Sequence, residues 1–133
     1  VEITIVGKVN RYVTCQYANV TQIEYAEDID RVYRNTDVII CPLLNGTGMK
    51  IKVVEGMSYS IPIVCTSRGV DGFPDKMYNG CLVADTAEGF AAHLNHLAQN
   101  TEFYQQCRRH IADYFNQMLC WNRHKVKLGC IFK

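Results

Sequence analysis

The chain reads as an α/β domain, a parallel sheet with helices on both faces. Short apolar runs alternate with stretches of helical spacing along the sequence. The runs Asp37 to Cys41 and Ile61 to Cys65 are apolar almost throughout, as strands covered on both faces must be. The centre, Cys41 to Thr66, closes a strand, a glycine loop, a helix and a second strand. That order is a βαβ unit, whose crossover is almost always right-handed.

Taken in order, Glu2 to Val6 is a short strand ending at Gly7, and Gly7 to Asn10 is the loop at its carboxyl end. Arg11 to Asn19 is ambiguous between a short helix and a loop, and Val20 to Tyr25 alternates weakly, as a strand does. Ala26-Glu27-Asp28 places acidic residues where a helix dipole favours them, and Ile29, Val32 and Tyr33 carry helical spacing to about Arg34. Asp37 to Pro42 is the strand that feeds the loop Asn45-Gly46-Thr47-Gly48. Met49 to Tyr59 follows as a helix with Ile51, Val54 and Met57 expected toward a core and Lys50, Lys52 and Glu55 elsewhere on its surface. Thr66 to Pro74 is a loop by composition, and Cys81 to Ala84 a short strand. Asp85 or Thr86 can cap the next helix, which has Glu88 in its first turn and Phe90, Leu94 and Leu97 as its buried stripe. Glu102 to Phe115 repeats the pattern with Phe103, Cys107, Ile111 and Tyr114, and Met118 to about Leu128 is expected to be a last helix anchored by Trp121. In such a sheet the loops at Gly7, Tyr25, Asn45 and Ser67 are expected to open on the carboxyl edge, where ligands bind.

A chain of 133 residues suits one domain, and 48% hydrophobic against 20% charged residues makes it globular. A net charge of +1 argues against broad attraction to nucleic acid or anionic lipid. No apolar run approaches the roughly 20 residues of a membrane span. The beginning shows no signal-peptide pattern and reads as a strand at once, as though cut from a longer chain. The cysteines at 15, 41, 65, 81, 107, 120 and 130 form no CxxC pair, so zinc is not expected. Cys41 and Cys65 lie in apolar strands as small buried hydrophobes, and the protein is expected to be reduced and cytoplasmic. His93 and His96 share a helix face without an acid or a third ligand beside them. The clusters Arg108-Arg109-His110 and Arg123-His124-Lys125 read as solvated helix faces.

The central loop has chemistry of its own. First-turn amides of a helix lack intrahelical partners and sit at the positive end of its dipole. Glycines let an anion approach such amides closely, and a cation at Lys50, unfavourable to the dipole by itself, makes sense if an anion binds nearby. The other reading is a tight turn with a solvated lysine.

One family carries this order of motifs. The runs Asp37-Val38-Ile39-Ile40-Cys41-Pro42-Leu43 and Gly46-Thr47-Gly48-Met49-Lys50-Ile51-Lys52-Val53-Val54-Glu55, followed by Pro62-Ile63-Val64 and Gly69-Val70-Asp71-Gly72, resemble the carboxyl-terminal domain of GT-B glycosyltransferases of group 1. Asp85 to Leu97 resembles that family's helix after the last strand, and Phe115 to Leu128, with Trp121, its closing segment. The resemblance covers nearly the whole chain. It implies that residues 1–133 are a single Rossmann-like domain for the nucleotide half of a UDP- or GDP-sugar, a fragment lacking the first βα unit and the amino-terminal acceptor domain.

The resemblance assigns Gly46, Thr47, Gly48, Met49 and Lys50 to the donor diphosphate and sugar, mainly through backbone amides, and Glu55 to the ribose hydroxyls. A carboxylate can accept from two vicinal hydroxyls at once; without the family, Glu55 reads as a surface glutamate. Ile23 and Tyr25, with Glu24 between them, are the candidates for the base, and Tyr25 reads equally as a buried aromatic. Many members place a first glutamate where Thr47 stands, counting back from Glu55. Threonine carries no charge, which bears on sugar identity. The arginine and lysine that neutralise the leaving diphosphate belong to the unit expected upstream of Val1, so the catalytic residues are not assigned.

The expected activity is transfer of a sugar to the hydroxyl of a glycan, a lipid or a small molecule in polysaccharide biosynthesis. The fragment alone is expected to be inactive. No cofactor, no metal and no nucleic-acid partner is expected. A non-catalytic α/β regulatory module, such as a receiver-like domain, lacks the acidic residues it would need after Val6 and Cys41. A family member that only binds nucleotide remains the second alternative.

Overall fold

The computed structural model describes residues 1–125 except 15, 77 and 123; Cys15, Cys130 and the end of the expected last helix lie outside them. The chain divides into two units, Val1–Asn35 and Thr36–Lys133.

In the first unit, β1 (Ile3–Val6) and β2 (Val20–Ile23) pair in parallel, with Ile3 opposite Val20 and Val6 opposite Ile23. The expected loop Gly7 to Asn10 is instead a 3₁₀ turn, Lys8–Arg11, and the ambiguous stretch from Arg11 to Asn19 carries no further helix among its described residues. Asn10 ties the strand ends together: its Nδ2 donates to the carbonyls of Ile5 at 2.8 Å, Gly7 at 3.0 Å and Ile23 at 2.9 Å. β2 stops at Ile23, two residues short of the expected end, and Glu24 ion-pairs with Arg11 instead of extending the ladder. The acidic run before α1 (Ile29–Arg34) acts as its spacing predicts, with the Asp28 carboxylate accepting from the Arg31 amide at 2.9 Å.

The second unit is built on a three-stranded parallel sheet, β3 (Ile39–Cys41), β4 (Ile63–Cys65) and β5 (Leu82–Val83), in that order. α2 (Ile51–Ser58) connects β3 to β4; α3 (Ala87–Gln99) and α4 (Thr101–Tyr114) follow β5. Side chains alternate across the sheet, as a pleated strand requires. Cys41, Ile63 and Cys65, with Ile39, face one core, which α2 fills with Val53 and Met57 and α4 with Ile111 and Tyr114. Val64, with Val38 and Leu82, faces the other, filled by Leu97, Phe90 and Leu94 of α3 and by Cys107 and Phe103 of α4. The sheet is thus covered on both faces, and both predicted stripes of the last two helices are in place. Thr86 rather than Asp85 caps α3, accepting from the Gly89 amide at 3.1 Å, and Asn100 separates α3 from α4 by capping the latter.

Two expectations are corrected. On α2 the buried line is Val53, Gly56 and Met57, while Ile51 is 72% exposed. The reason is Gly56: a Cβ built there would lie 2.3 Å from Ile39 Cδ1, so this is where the helix lies nearest the sheet. A reading that follows apolar side chains misses a contact made by the absence of one. Trp121 is 65% exposed and anchors nothing by burial. Phe115 and Leu119, in a π turn (Phe115–Leu119) closed by the Cys120 amide on the Phe115 carbonyl at 2.8 Å, pack against the first core in its place.

The phase of α2 is testable. Met57→Ala empties a fully buried site and should cost about 2–5 kcal/mol in urea unfolding, whereas Ile51→Ala should change stability by less than about 0.5 kcal/mol.

Candidate functional site

Three loops leave the carboxyl ends of β3, β4 and β5, and hydrogen bonds join them. Thr66 Oγ1 donates to the Leu43 carbonyl at 2.5 Å, and the Ser67 amide to Asp85 Oδ1 at 2.8 Å. The first loop, between β3 and α2, is exposed from Pro42 to Met49. Gly46 and Gly48 have φ of 114° and 72°, left-handed conformations that glycine adopts without strain.

The loop delivers the chain to α2 through Lys50. Lys50 stands at the N-cap, in an extended conformation, because α2 begins at Ile51, two residues after the expected start at Met49. Its side chain does not cap the helix; the ammonium turns back and donates to the Gly48 carbonyl at 2.9 Å. α1, α3 and α4 each have a side-chain oxygen on a first-turn amide, from Asp28, Thr86 and Asn100. α2 has none. Its amino terminus therefore combines the positive end of a helix dipole, uncapped by any side chain, with a lysine and a glycine loop.

Glu55 lies a turn into α2. Its side chain is 40% exposed, outside the core, with Oε2 3.0 Å from the Lys52 ammonium. An exposed pair of this kind is worth at most about 1 kcal/mol. Gly46, Thr47, Gly48, Met49, Lys50 and Glu55 thus occupy one continuous loop and helix.

Ile23 and Tyr25 belong to the first unit. The Ile23 carbonyl accepts from the Gly7 amide at 2.8 Å and from Asn10, which occupies both of its lone pairs. Tyr25 is 80% exposed, so it is not a core aromatic.

The loop after β4 holds what the sequence pattern did not single out. Asp71 Oδ2 lies 3.2 Å from Arg68 Nη1 and Oδ1 2.6 Å from Lys76 Nζ. The Lys76 bond, then the Arg68 bond, hold its carboxyl below the usual range. Ser67, Arg68, Asp71, Lys76, Cys81 and Val83 line a groove of about 500 Å³. Only Gly69-Val70-Asp71-Gly72 marked this loop in the sequence, and nothing in its spacing pairs Asp71 with Lys76.

The thiols at this edge serve packing. Cys41 lies opposite Cys65 in the β3–β4 register, and both are buried. Burial pushes the Cys41 thiol up, and a hydrogen bond to Cys65, together with burial, pushes the Cys81 thiol up. His93 Nε2 is 3.2 Å from the Val83 carbonyl and His96 stacks on Phe103 with ring centroids 4.0 Å apart. Among the described residues no three His, Cys, Asp or Glu side chains are grouped to hold a metal ion, and no helix is long and apolar enough to cross a membrane.

Comparison with known proteins decides the family. The family model for glycosyl transferases group 1 matches residues 1–100, three quarters of the chain. The chain belongs to the group 1 glycosyl transferases. An uncharacterized 44.6 kDa protein in the cps region of Klebsiella pneumoniae is 28% identical over 74 residues, which is 56% of this chain and 19% of that protein. The fold matches the crystal structure of the carboxyl-terminal domain of LpcC, a group 1 glycosyl transferase family protein from Francisella tularensis, with a TM-score of 0.63 at 16% identity. That match covers 83% of this chain and 57% of the LpcC chain. This glycosyl transferase domain is thus of the α/β class, similar to the carboxyl-terminal half of a GT-B fold.

The Asp71 pairs give an acid signature. A carboxyl held low in the folded state adds stability that is complete above its unfolded pKa of about 4 and declines as pH falls toward the folded value. Asp71→Asn should therefore flatten the fall in stability below about pH 4, measured by urea unfolding across pH, and leave the slope near neutrality unchanged.

Proposed function

We propose that this domain binds the nucleoside diphosphate of a UDP- or GDP-sugar, and that the whole protein transfers the sugar to an acceptor hydroxyl on a glycan, a lipid or a small molecule. The observation that carries this reading is the uncapped amino terminus of α2, reached through two left-handed glycines and flanked by Lys50. Amides there suit phosphate oxygens, and the fixed dipole suits the charge that grows on a departing diphosphate. Little rearrangement is needed, which is what makes such stabilisation effective.

Glu55 then takes the ribose. Its carboxylate exchanges the Lys52 ammonium for two vicinal hydroxyls, a charge-assisted arrangement stronger than the exposed pair it replaces. Thr47 offers a hydroxyl to the sugar itself, where a charged residue would grip more tightly. Ile23 and Tyr25 are the proposed base contacts; the exposed ring of Tyr25 offers a face for stacking, while the engaged Ile23 carbonyl leaves little for the base edge. Family membership and the cps-region relative support polysaccharide biosynthesis in the cytoplasm as the setting.

Titration calorimetry of the full-length protein with UDP and GDP tests the reading. One of them should bind, and Glu55→Ala should weaken it by roughly 1.5–3 kcal/mol, about ten- to a hundredfold. Binding of neither, or binding indifferent to Glu55→Ala, contradicts it.

A further inference from the structure

The turn at Asp71-Gly72 bears on the glycine loop without taking any part in the ligand contacts proposed above. Gly72 has φ of 86°, and a Cβ built on it would lie 2.4 Å from the Met49 nitrogen, 2.8 Å from the Gly48 carbonyl carbon and 2.9 Å from the Met49 Cα. All three are backbone atoms of one peptide, the one that joins Gly48 to Met49. The glycine therefore lets one backbone rest against another.

The turn has no room to retreat. Val70 and Phe73, on either side of Asp71-Gly72, are 3% and 4% exposed within the first core. Gly69 is also tight, since a Cβ there would lie 2.6 Å from Cys65 Cβ. Asp71 is held between Arg68 and Lys76. The Gly48–Met49 peptide, by contrast, lies in a loop exposed on its other side. Any side chain at position 72 must move the loop and not the turn.

We propose that Gly72 is a positioning residue, with Asp71 fixing the turn, and that together they hold the Gly48–Met49 peptide so that the amides of the loop and of the start of α2 meet a diphosphate. The ligand half of this statement rests on the donor-site reading; the contact half does not. Displacements of about 1 Å in such positioning contacts reduce function by up to about a hundredfold. Gly72 adds nothing to the diphosphate itself, so its effect passes entirely through Met49 and Gly48.

Two measurements on the full-length protein test this. In a crystal structure of Gly72→Ala the Gly48–Met49 peptide should stand roughly 1 Å or more from its place in the unaltered protein, while the buried strand Ile63–Cys65 keeps its position. The affinity for UDP or GDP should fall roughly ten- to a hundredfold in the same variant. If Gly72→Ala does not fold, Asp71→Asn decides, with the same direction in both measurements and a smaller size. A folded variant whose Gly48–Met49 peptide has not moved overturns the proposal, whatever the nucleotide does. A displaced peptide with unchanged nucleotide affinity overturns the positioning role. If the unaltered protein binds neither UDP nor GDP, the donor-site reading fails, and the structure of the variant alone upholds or overturns the backbone contact.

Discussion

The join between β3 and α2 places the amino terminus of a helix at the carboxyl edge of a parallel sheet and leaves it without a side-chain cap. Helix ends are ordinarily closed, because an unmet amide costs free energy comparable to a lost hydrogen bond. α1, α3 and α4 obey that rule through Asp28, Thr86 and Asn100. A cap at Lys50 would give α2 the same local stability and remove its amides from use. The helix is instead secured by burial, with Val53 and Met57 fully inside and Gly56 against Ile39. Packing on the sheet thus allows the end of the helix to stay open.

That packing also explains how the loop before α2 is held. Its glycines give it freedom, and its neighbours remove that freedom. Thr66 bonds the Leu43 carbonyl, Lys50 bonds the Gly48 carbonyl, and the backbone at Gly72 abuts the peptide between Gly48 and Met49. The first two restraints act on carbonyl oxygens and leave the loop amides available. A polar site can be ordered in this way by contacts from behind, so that ordering is complete before any ligand arrives.

Much of this was legible in the sequence because it depends on local patterns. The strands Ile39–Cys41 and Ile63–Cys65 follow from continuous apolar runs, the stripes of α3 and α4 from helical spacing, and the acidic start of α1 from capping chemistry. The order of motifs from Asp37 to Gly72 carries the resemblance to the family. The phase of α2 was not legible, because its closest approach is made at Gly56, which carries no apolar signal. Trp121 misled for the opposite reason, since a large aromatic that remains exposed looks identical in sequence to one that anchors a core. At the candidate site, Gly46 to Lys50 and Glu55 could be singled out because they are near one another in the chain. The pairing of Asp71 with Lys76 and the contact of Gly72 with Met49 join separate segments, and only the fold brings them together.

The most direct measurement is a crystal structure of the full-length protein with bound UDP or GDP. The account predicts diphosphate oxygens within hydrogen-bond distance, about 2.7–3.2 Å, of amides between Gly46 and Lys52, with the Glu55 carboxylate released from Lys52 and on the ribose hydroxyls. A diphosphate bound away from the start of α2, or Glu55 still paired with Lys52 while the ribose lies elsewhere, contradicts it.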